Sequence, residues 1–252
     1  MPYSIYCFTF LIAFFIPQLL VAQTDTFELK YTISGDGAIS TGNVEQFNVG
    51  GRSSVSTMSK YIGADLDQFY TYGEQRNIKV ENDFANRLFV YFLKRKRLYF
   101  YLMNVEELSH RRDITFRMQN GGGIGYYLLR GHGQKVKLNL TLLHEQTEFK
   151  TAKFPIETGI TSRFRKVWRA NLRLKGTNVL LHKHLKLNYE GTYQPSLEDD
   201  RDYRFYWFLT MDWAIYKHLS FRTSINYTYE NIVLIGKKQG DLRWTVGLAI
   251  GN

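Results

Sequence analysis

A chain of 252 residues has room for one large domain or two small ones, and all-β barrels of this size often form one. Its mean hydropathy of -0.32, with no long apolar run beyond the N-terminus, excludes a helical membrane protein. A formal charge of +10, dispersed along alternating segments instead of gathered on one helix or patch, points away from nucleic acid and toward an anionic lipid surface.

Met1 to Ala22 carries an apolar run from Ile5 to Ile16, then Pro17, and ends Leu20-Val21-Ala22 before Gln23, as a secretory signal peptide does. Residues 1–22 are therefore read as a signal peptide and 23–252 as one exported domain. The stretch has no Lys or Arg near Met1, so a retained anchor is the alternative. Cys7, the only cysteine, lies too early to accept a lipid at a cleavage site. Without it the remaining chain has no disulfide and no thiolate metal site.

Beyond the leader, apolar and polar residues alternate with the period of two that marks strands. Phe27, Leu29, Tyr31 and Ile33 alternate with Glu28, Lys30, Thr32 and Ser34 up to Ile39, where Ser40-Thr41-Gly42-Asn43 reads as a tight turn. A second strand is expected over Val44 to Thr57. A third, over Lys60 to Tyr72, alternates less regularly and suggests a bulge. Ile78 to Phe92 forms the fourth, broken at Lys94-Arg95-Lys96-Arg97, and Leu98 to Leu108 returns. Ile114, Phe116 and Met118 open the sixth, which enters Gly121-Gly122-Gly123-Ile124-Gly125 with Gly121, Gly123 and Gly125 on the polar side. Glycines there let a curved sheet bend or a neighbouring side chain fill the space.

After Arg130-Gly131-His132-Gly133, Val136, Leu138, Leu140 and Leu142 alternate with Lys137, Asn139 and Thr141. Further strands are expected at Arg163 to Lys175, Val179 to Tyr193, Tyr203 to Tyr216, Leu219 to Glu230 and Asp241 to Ile250. In Leu219 to Glu230 the two faces separate cleanly, with Phe221, Ile225 and Tyr227 on one side and Arg222, Asn226 and Glu230 on the other. The total is about twelve, an even number, as single-chain outer-membrane barrels require. Connections after even strands are short, including Gly176 to Asn178. Those after strands seven, nine and eleven are long: Lys150 to Ser162, Gln194 to Asp202 and Ile232 to Gly240. A soluble sandwich has no reason to sort its loops this way, so the fold class is all-β, an antiparallel up-and-down transmembrane β-barrel.

Ser34-Gly35-Asp36-Gly37-Ala38-Ile39-Ser40-Thr41-Gly42-Asn43 and the glycine-rich strand Gly121 to Tyr126 resemble the salt-induced outer-membrane protein family, YdiY-like, catalogued as domain of unknown function 481. The resemblance covers most of the chain after the leader and implies an outer-membrane barrel without assigned chemistry. Many such barrels end in an aromatic residue. Here the end reads Leu248-Ala249-Ile250-Gly251-Asn252, although Leu242, Trp244 and Val246 continue the apolar face.

Few constellations suggest chemistry. Gly121 to Gly125 has the spacing of a phosphate loop, but no Lys-Ser/Thr follows and no helix opens. His182 and His184 would share a strand face, with Glu190 as a distant third metal ligand, and Glu198-Asp199-Asp200 with Asp202 would suit a hard cation. Solvated rim residues are the simpler reading of both. His144 with Ser162, or His110 with Ser109, would supply a base and a nucleophile for a lipid hydrolase, without a family signature. No catalytic, cofactor or metal site is assigned.

The polar faces of the strands are more informative. Arg117, Lys137, Arg169, Arg173, Lys186, Glu190, Arg204, Asp212, Arg222, Glu230 and Arg243 would project into the lumen, where unpaired charges cost several kcal/mol and so must pair across strands or line water. The expected function is structural or passive transport through a narrow pore, in a monomer embedded in outer-membrane lipid and lipopolysaccharide and inserted by the barrel-assembly machinery. Neither a cofactor nor a nucleic-acid partner is implied. A lipid hydrolase and a soluble periplasmic barrel holding lipid inside are the alternatives.

Overall fold

The computed structural model describes residues 28–40, 46–94, 96–131 and 133–251. The proposed leader, 1–22, lies outside them, as does the first predicted turn beyond Ser40. Twelve strands follow in order: β1 (Glu28–Ser40), β2 (Gln46–Met58), β3 (Ile62–Gln75), β4 (Ile78–Phe92), β5 (Leu98–Ser109), β6 (Ile114–Gly131), β7 (Gln134–Phe149), β8 (Phe164–Leu180), β9 (Leu185–Pro195), β10 (Tyr203–Tyr216), β11 (Leu219–Glu230) and β12 (Gly240–Gly251). Each pairs antiparallel with its sequence neighbours, and β1 pairs with β12 from Thr32↔Gly251 to Asp36↔Gly247. The sheet therefore closes into a barrel with no free edge, as the alternation predicts.

The ends of the barrel differ. At the turn end, 59–61, 93–97, 132–133, 181–184 and 217–218 join the strands; at the loop end lie 150–163, 196–202 and 231–239, beside the tight connections 76–77 and 110–113. β6, β7 and β8 are the longest strands, at 18, 16 and 17 residues, and carry the wall furthest on one side.

Two expectations are corrected. The turn assigned to Gly176 to Asn178 lies inside β8, and the chain reverses at 181–184, where Leu181, His182 and Lys183 take positive φ. Gly176 has a different purpose: it faces Tyr189 on β9, whose ring would stand 2.1 Å from any Cβ placed there. The irregularity suspected in the third strand is also elsewhere. β3 pairs with β2 without a break, and the register shifts in the β3–β4 pair, where Gly73 faces Glu81 but Glu74 faces Lys79. Val80 is thus left unpaired beside the tight turn Arg76-Asn77.

Inside and outside follow the period of two. Large apolar side chains cover the outer wall: Leu102, Leu140, Phe221, Trp207 and Trp244 are each more than 40% accessible there. Inward positions are mostly polar or aromatic. One apolar cluster, Phe89, Tyr91, Tyr99, Tyr101, Met103, Tyr127 and Leu143, fills the interior against β4 to β7. Gly125 faces Tyr99 across the β5–β6 pair, and a Cβ at Gly125 would fall 2.1 Å from the ring. That ring is buried and its hydroxyl donates to Asn139 Oδ1 at 2.5 Å, so it has nowhere to retreat.

Gly125→Ala is accordingly expected to destabilise the barrel by roughly 1–3 kcal/mol, the usual cost of overpacking a filled site. Urea unfolding of the protein refolded in lipid measures it. Adding Tyr99→Ala should return part of the loss, and purely additive costs would show that the two positions do not collide.

Candidate functional site

The interior divides into three regions. At the loop end, five arginines and four carboxylates interlock. Arg117 Nη1 and Nη2 donate to the two oxygens of Glu230 at 2.8 and 3.0 Å, and Nη1 also reaches Glu107 at 3.0 Å. Arg112 bridges the same two glutamates. Arg204 grips Glu145, one contact being 2.9 Å, while its Nε lies 3.2 Å from Glu230. Arg169, fully buried, lies 3.4 Å from Glu145 and 2.8 Å from Asp202, and Arg165 meets Asp202 at 2.9 Å. Burying single charges here would cost several kcal/mol each; sharing every carboxylate between at least two arginines offsets that cost.

Above this layer, the loops pack on one another. Phe154 from the β7–β8 loop and Ile232 and Leu234 from the β11–β12 loop bury against Ile114 and Phe149. Ile235 N–H donates to Lys153 O at 2.8 Å. Asp113, in the β5–β6 turn, takes Lys237 at 2.8 Å and Lys150 at 3.2 Å. Burial pushes its carboxyl up, but hydrogen bonds from Lys237 and Lys150 outweigh this and hold it below the usual carboxylate range.

Toward the turn end, the aromatic cluster carries cations on its ring faces. Lys94 lies 3.8 Å from the Tyr91 centroid while bonding Asp65 at 2.8 Å, Lys137 lies 5.1 Å from the same ring, and Arg173 lies 4.2 Å from that of Phe89.

Between these regions lies a cavity of about 320 Å³. Its lining runs from Asp83, Arg111 and Arg112 at the loop end to Thr32 and Lys186 near the turn end. Contacts across the lumen narrow it: Arg87 on β4 reaches Glu190 on β9 at 3.3 Å, and Arg52 on β2 lies 4.1 Å over the Phe208 ring of β10. Eight basic side chains line it, namely Arg52, Arg87, Arg111, Arg112, Arg173, Lys175, Lys186 and Arg222. Among the described residues only four acidic ones do, Asp67, Asp83, Glu107 and Glu190.

The eleven residues expected in the lumen are distributed over these regions. Arg117, Arg169, Arg204 and Glu230 belong to the loop-end network; Arg173, Lys186, Glu190 and Arg222 line the cavity; Lys137 sits against the aromatic cluster. Asp212 takes Arg222 at 2.5 and 2.9 Å, and Arg243 reaches Glu81 across the barrel at 2.6 and 2.7 Å. Glu107, Glu145, Arg52, Arg87 and Asp202 join them from outside that expectation. Glu145 shares the parity of Lys137 along β7 and Arg52 that of Ser54 along β2, so alternation contains both; Asp202 precedes β10, where alternation says nothing.

The other candidates separate. His182 and His184 stand exposed in the 181–184 turn and so share no strand face. His144 packs beside Trp168 on the outer wall, rings 5.0 Å apart, while Ser162 Oγ accepts from Phe164 N–H. Ser109 Oγ donates to Asp83 at 3.1 Å, and His110 faces Lys150. Among the described residues, neither serine is hydrogen-bonded to a histidine. Asp199 binds Arg201, Glu198 accepts from Trp168 N–H and Asp202 pairs with arginines, which commits that acidic run to structure.

Comparison with known proteins gives a family and a fold. A family model described as "Protein of unknown function, DUF481" matches residues 36–251. No curated protein matches in sequence. Among solved structures, the NanC porin in a rhombohedral crystal form aligns with a TM-score of 0.52 at 9% identity, over 88% of this chain and 98% of that one. The KdgM porin in complex with disordered oligogalacturonate aligns at 0.45 and 8% identity, over 88% and 98%. At 9% identity the likeness to the first is one of fold.

Glu145→Gln removes the carboxylate shared by Arg204 and Arg169, and a loss of about 3–5 kcal/mol in unfolding free energy is expected. A change below about 1 kcal/mol would show that the arginines re-pair. At the loops, the depressed Asp113 carboxyl contributes stability that is complete above its unfolded value and lost as pH falls through the lower folded value. Amide exchange at Ile235, corrected for intrinsic rates, should therefore accelerate below about pH 4, and in Asp113→Asn it should be fast at every pH.

Proposed function

The chain belongs to the DUF481 family, and on that premise we propose that it is an exported outer-membrane barrel acting as a narrow passive channel that favours anions. The observation that carries this reading is the two-to-one excess of basic over acidic side chains around the interior cavity. A low-dielectric wall focuses such a field and raises the local concentration of anions. The exposed aliphatic and aromatic side chains of the outer wall support a lipid environment, with Trp168, Trp207, Trp213 and Trp244 suited to interfacial positions. Outer-membrane lipid and lipopolysaccharide are then its surroundings, the barrel-assembly machinery its route of insertion, and the monomer its working form. Residues 1–22 serve as the export signal in this reading.

A charged interior and an outward apolar face argue against a lipid held inside a soluble barrel. The interlocked loop-end network favours one competing reading, a filled structural barrel that conducts nothing.

Planar-bilayer recordings across a KCl gradient decide between them. The expected reversal potential has the sign of chloride permeation, and Lys186→Gln together with Arg111→Gln should move it toward zero. A cation-selective current would overturn the proposal, and the absence of conductance would establish the filled barrel.

A further inference from the structure

Most interior guanidinium groups form an ion pair with a carboxylate, but Arg173 forms none among the described residues. It is 4% exposed, lines the cavity, and its Nε and Nη2 have no hydrogen-bond partner there. Those two nitrogens carry the N–H groups that can take a carboxylate through two parallel hydrogen bonds. Its Cζ lies over the Phe89 ring, 4.2 Å from the centroid, and 5.8 Å from that of Tyr101, so a cation–π contact holds the group in place of an ion pair. The cavity acid on the neighbouring strand β9, Glu190, is already shared between Arg87 at 3.3 Å and Lys175 at 3.7 Å. On β2, diametrically opposite β8 in the strand order, Arg52 repeats the arrangement: it lies over Phe208 and Phe69.

A buried N–H without an acceptor forfeits its hydration without replacement, and here one guanidinium carries two such nitrogens. We propose that Arg173 is the binding residue for a small organic carboxylate that enters the cavity. The solute's carboxylate pairs with the Arg173 guanidinium, and Asn171, Thr192 and Gln194, neutral side chains on the same cavity wall, serve hydrogen-bonding groups on the rest of it. A volume of about 320 Å³ suits a molecule of a few carbon atoms. The Phe89 and Tyr101 rings beside the guanidinium confine it, so less side-chain freedom remains to be lost on binding. This site rests on the reading of the cavity as favourable to anions and specifies which anions it retains.

Isothermal titration of the detergent-solubilised full chain with tartrate tests it, with erythritol as the neutral analogue and inorganic phosphate as the competing oxyanion. Saturable tartrate binding is expected, with none for erythritol and weaker binding of phosphate. Arg173→Lys keeps the charge and loses the paired donors, so affinity should fall at least about tenfold, whereas Arg201→Gln in an outer loop should change nothing. Heat-modifiable gel migration establishes that each variant is folded; if Arg173→Lys is not, the wild-type titrations decide alone. Unsaturable tartrate binding, phosphate binding as tight as tartrate, or full affinity in folded Arg173→Lys would each overturn the assignment. Bilayer recordings separate the two proposals: chloride-signed reversal without tartrate binding removes the site and leaves the channel, and absent conductance with tartrate binding does the reverse.

Discussion

Closure of β1 onto β12 is the constraint from which the other features follow. Once the last strand pairs with the first, every strand has two neighbours, the backbone groups of the sheet satisfy one another, and the pleat assigns each side chain to the wall's inner or outer face. A slip of one residue between β7 and its neighbours would turn Leu138, Leu140 and Leu142 inward and carry Lys137 and Asn139 to the outside. The apolar outer wall and the charged inner one therefore hold the register together as one cooperative choice.

Closure also brings charges together that no local pattern connects. Arg117 and Glu230 are separated by 113 residues, Arg243 and Glu81 by 162, and Arg87 and Glu190 by 103. Each pair spans the lumen, so each is a strut as well as an electrostatic contact. At the loop end the struts share carboxylates so densely that the interior is filled; among the described cations around the cavity, Arg52, Arg173 and Lys186 form no ion pair, while Arg87, Arg111, Arg112, Lys175 and Arg222 do. The same barrel thus has a region in which charge is neutralised for packing and one in which some cations have no carboxylate partner among the described residues. The distinction depends on how many carboxylates reach a given height.

Aromatic residues contribute the third element. Tyr99 occupies the space left by Gly125, Tyr189 that left by Gly176, and the rings of Phe89, Tyr91 and Phe208 present faces to cations. Arg173 and Arg52, which form no ion pair among the described residues, are held instead over ring faces. Packing on the turn side of the lumen and the chemistry of the cavity wall are in this way one arrangement.

Alternation alone determined the strands, their number and the face on which Arg117, Arg173, Glu190, Arg222 and Glu230 lie, because a period of two is a local property of the chain. It misplaced the β8–β9 turn, since Gly176 looks the same in a sequence whether it turns the chain or makes room for Tyr189. Nor does it reach Asp202 or Arg112, which enter the lumen from connections without periodicity. Which cations would be paired was decided only in three dimensions. Partners across a lumen are fixed by the stagger of twelve strands and the reach of each side chain, and both come into existence only when the sheet closes.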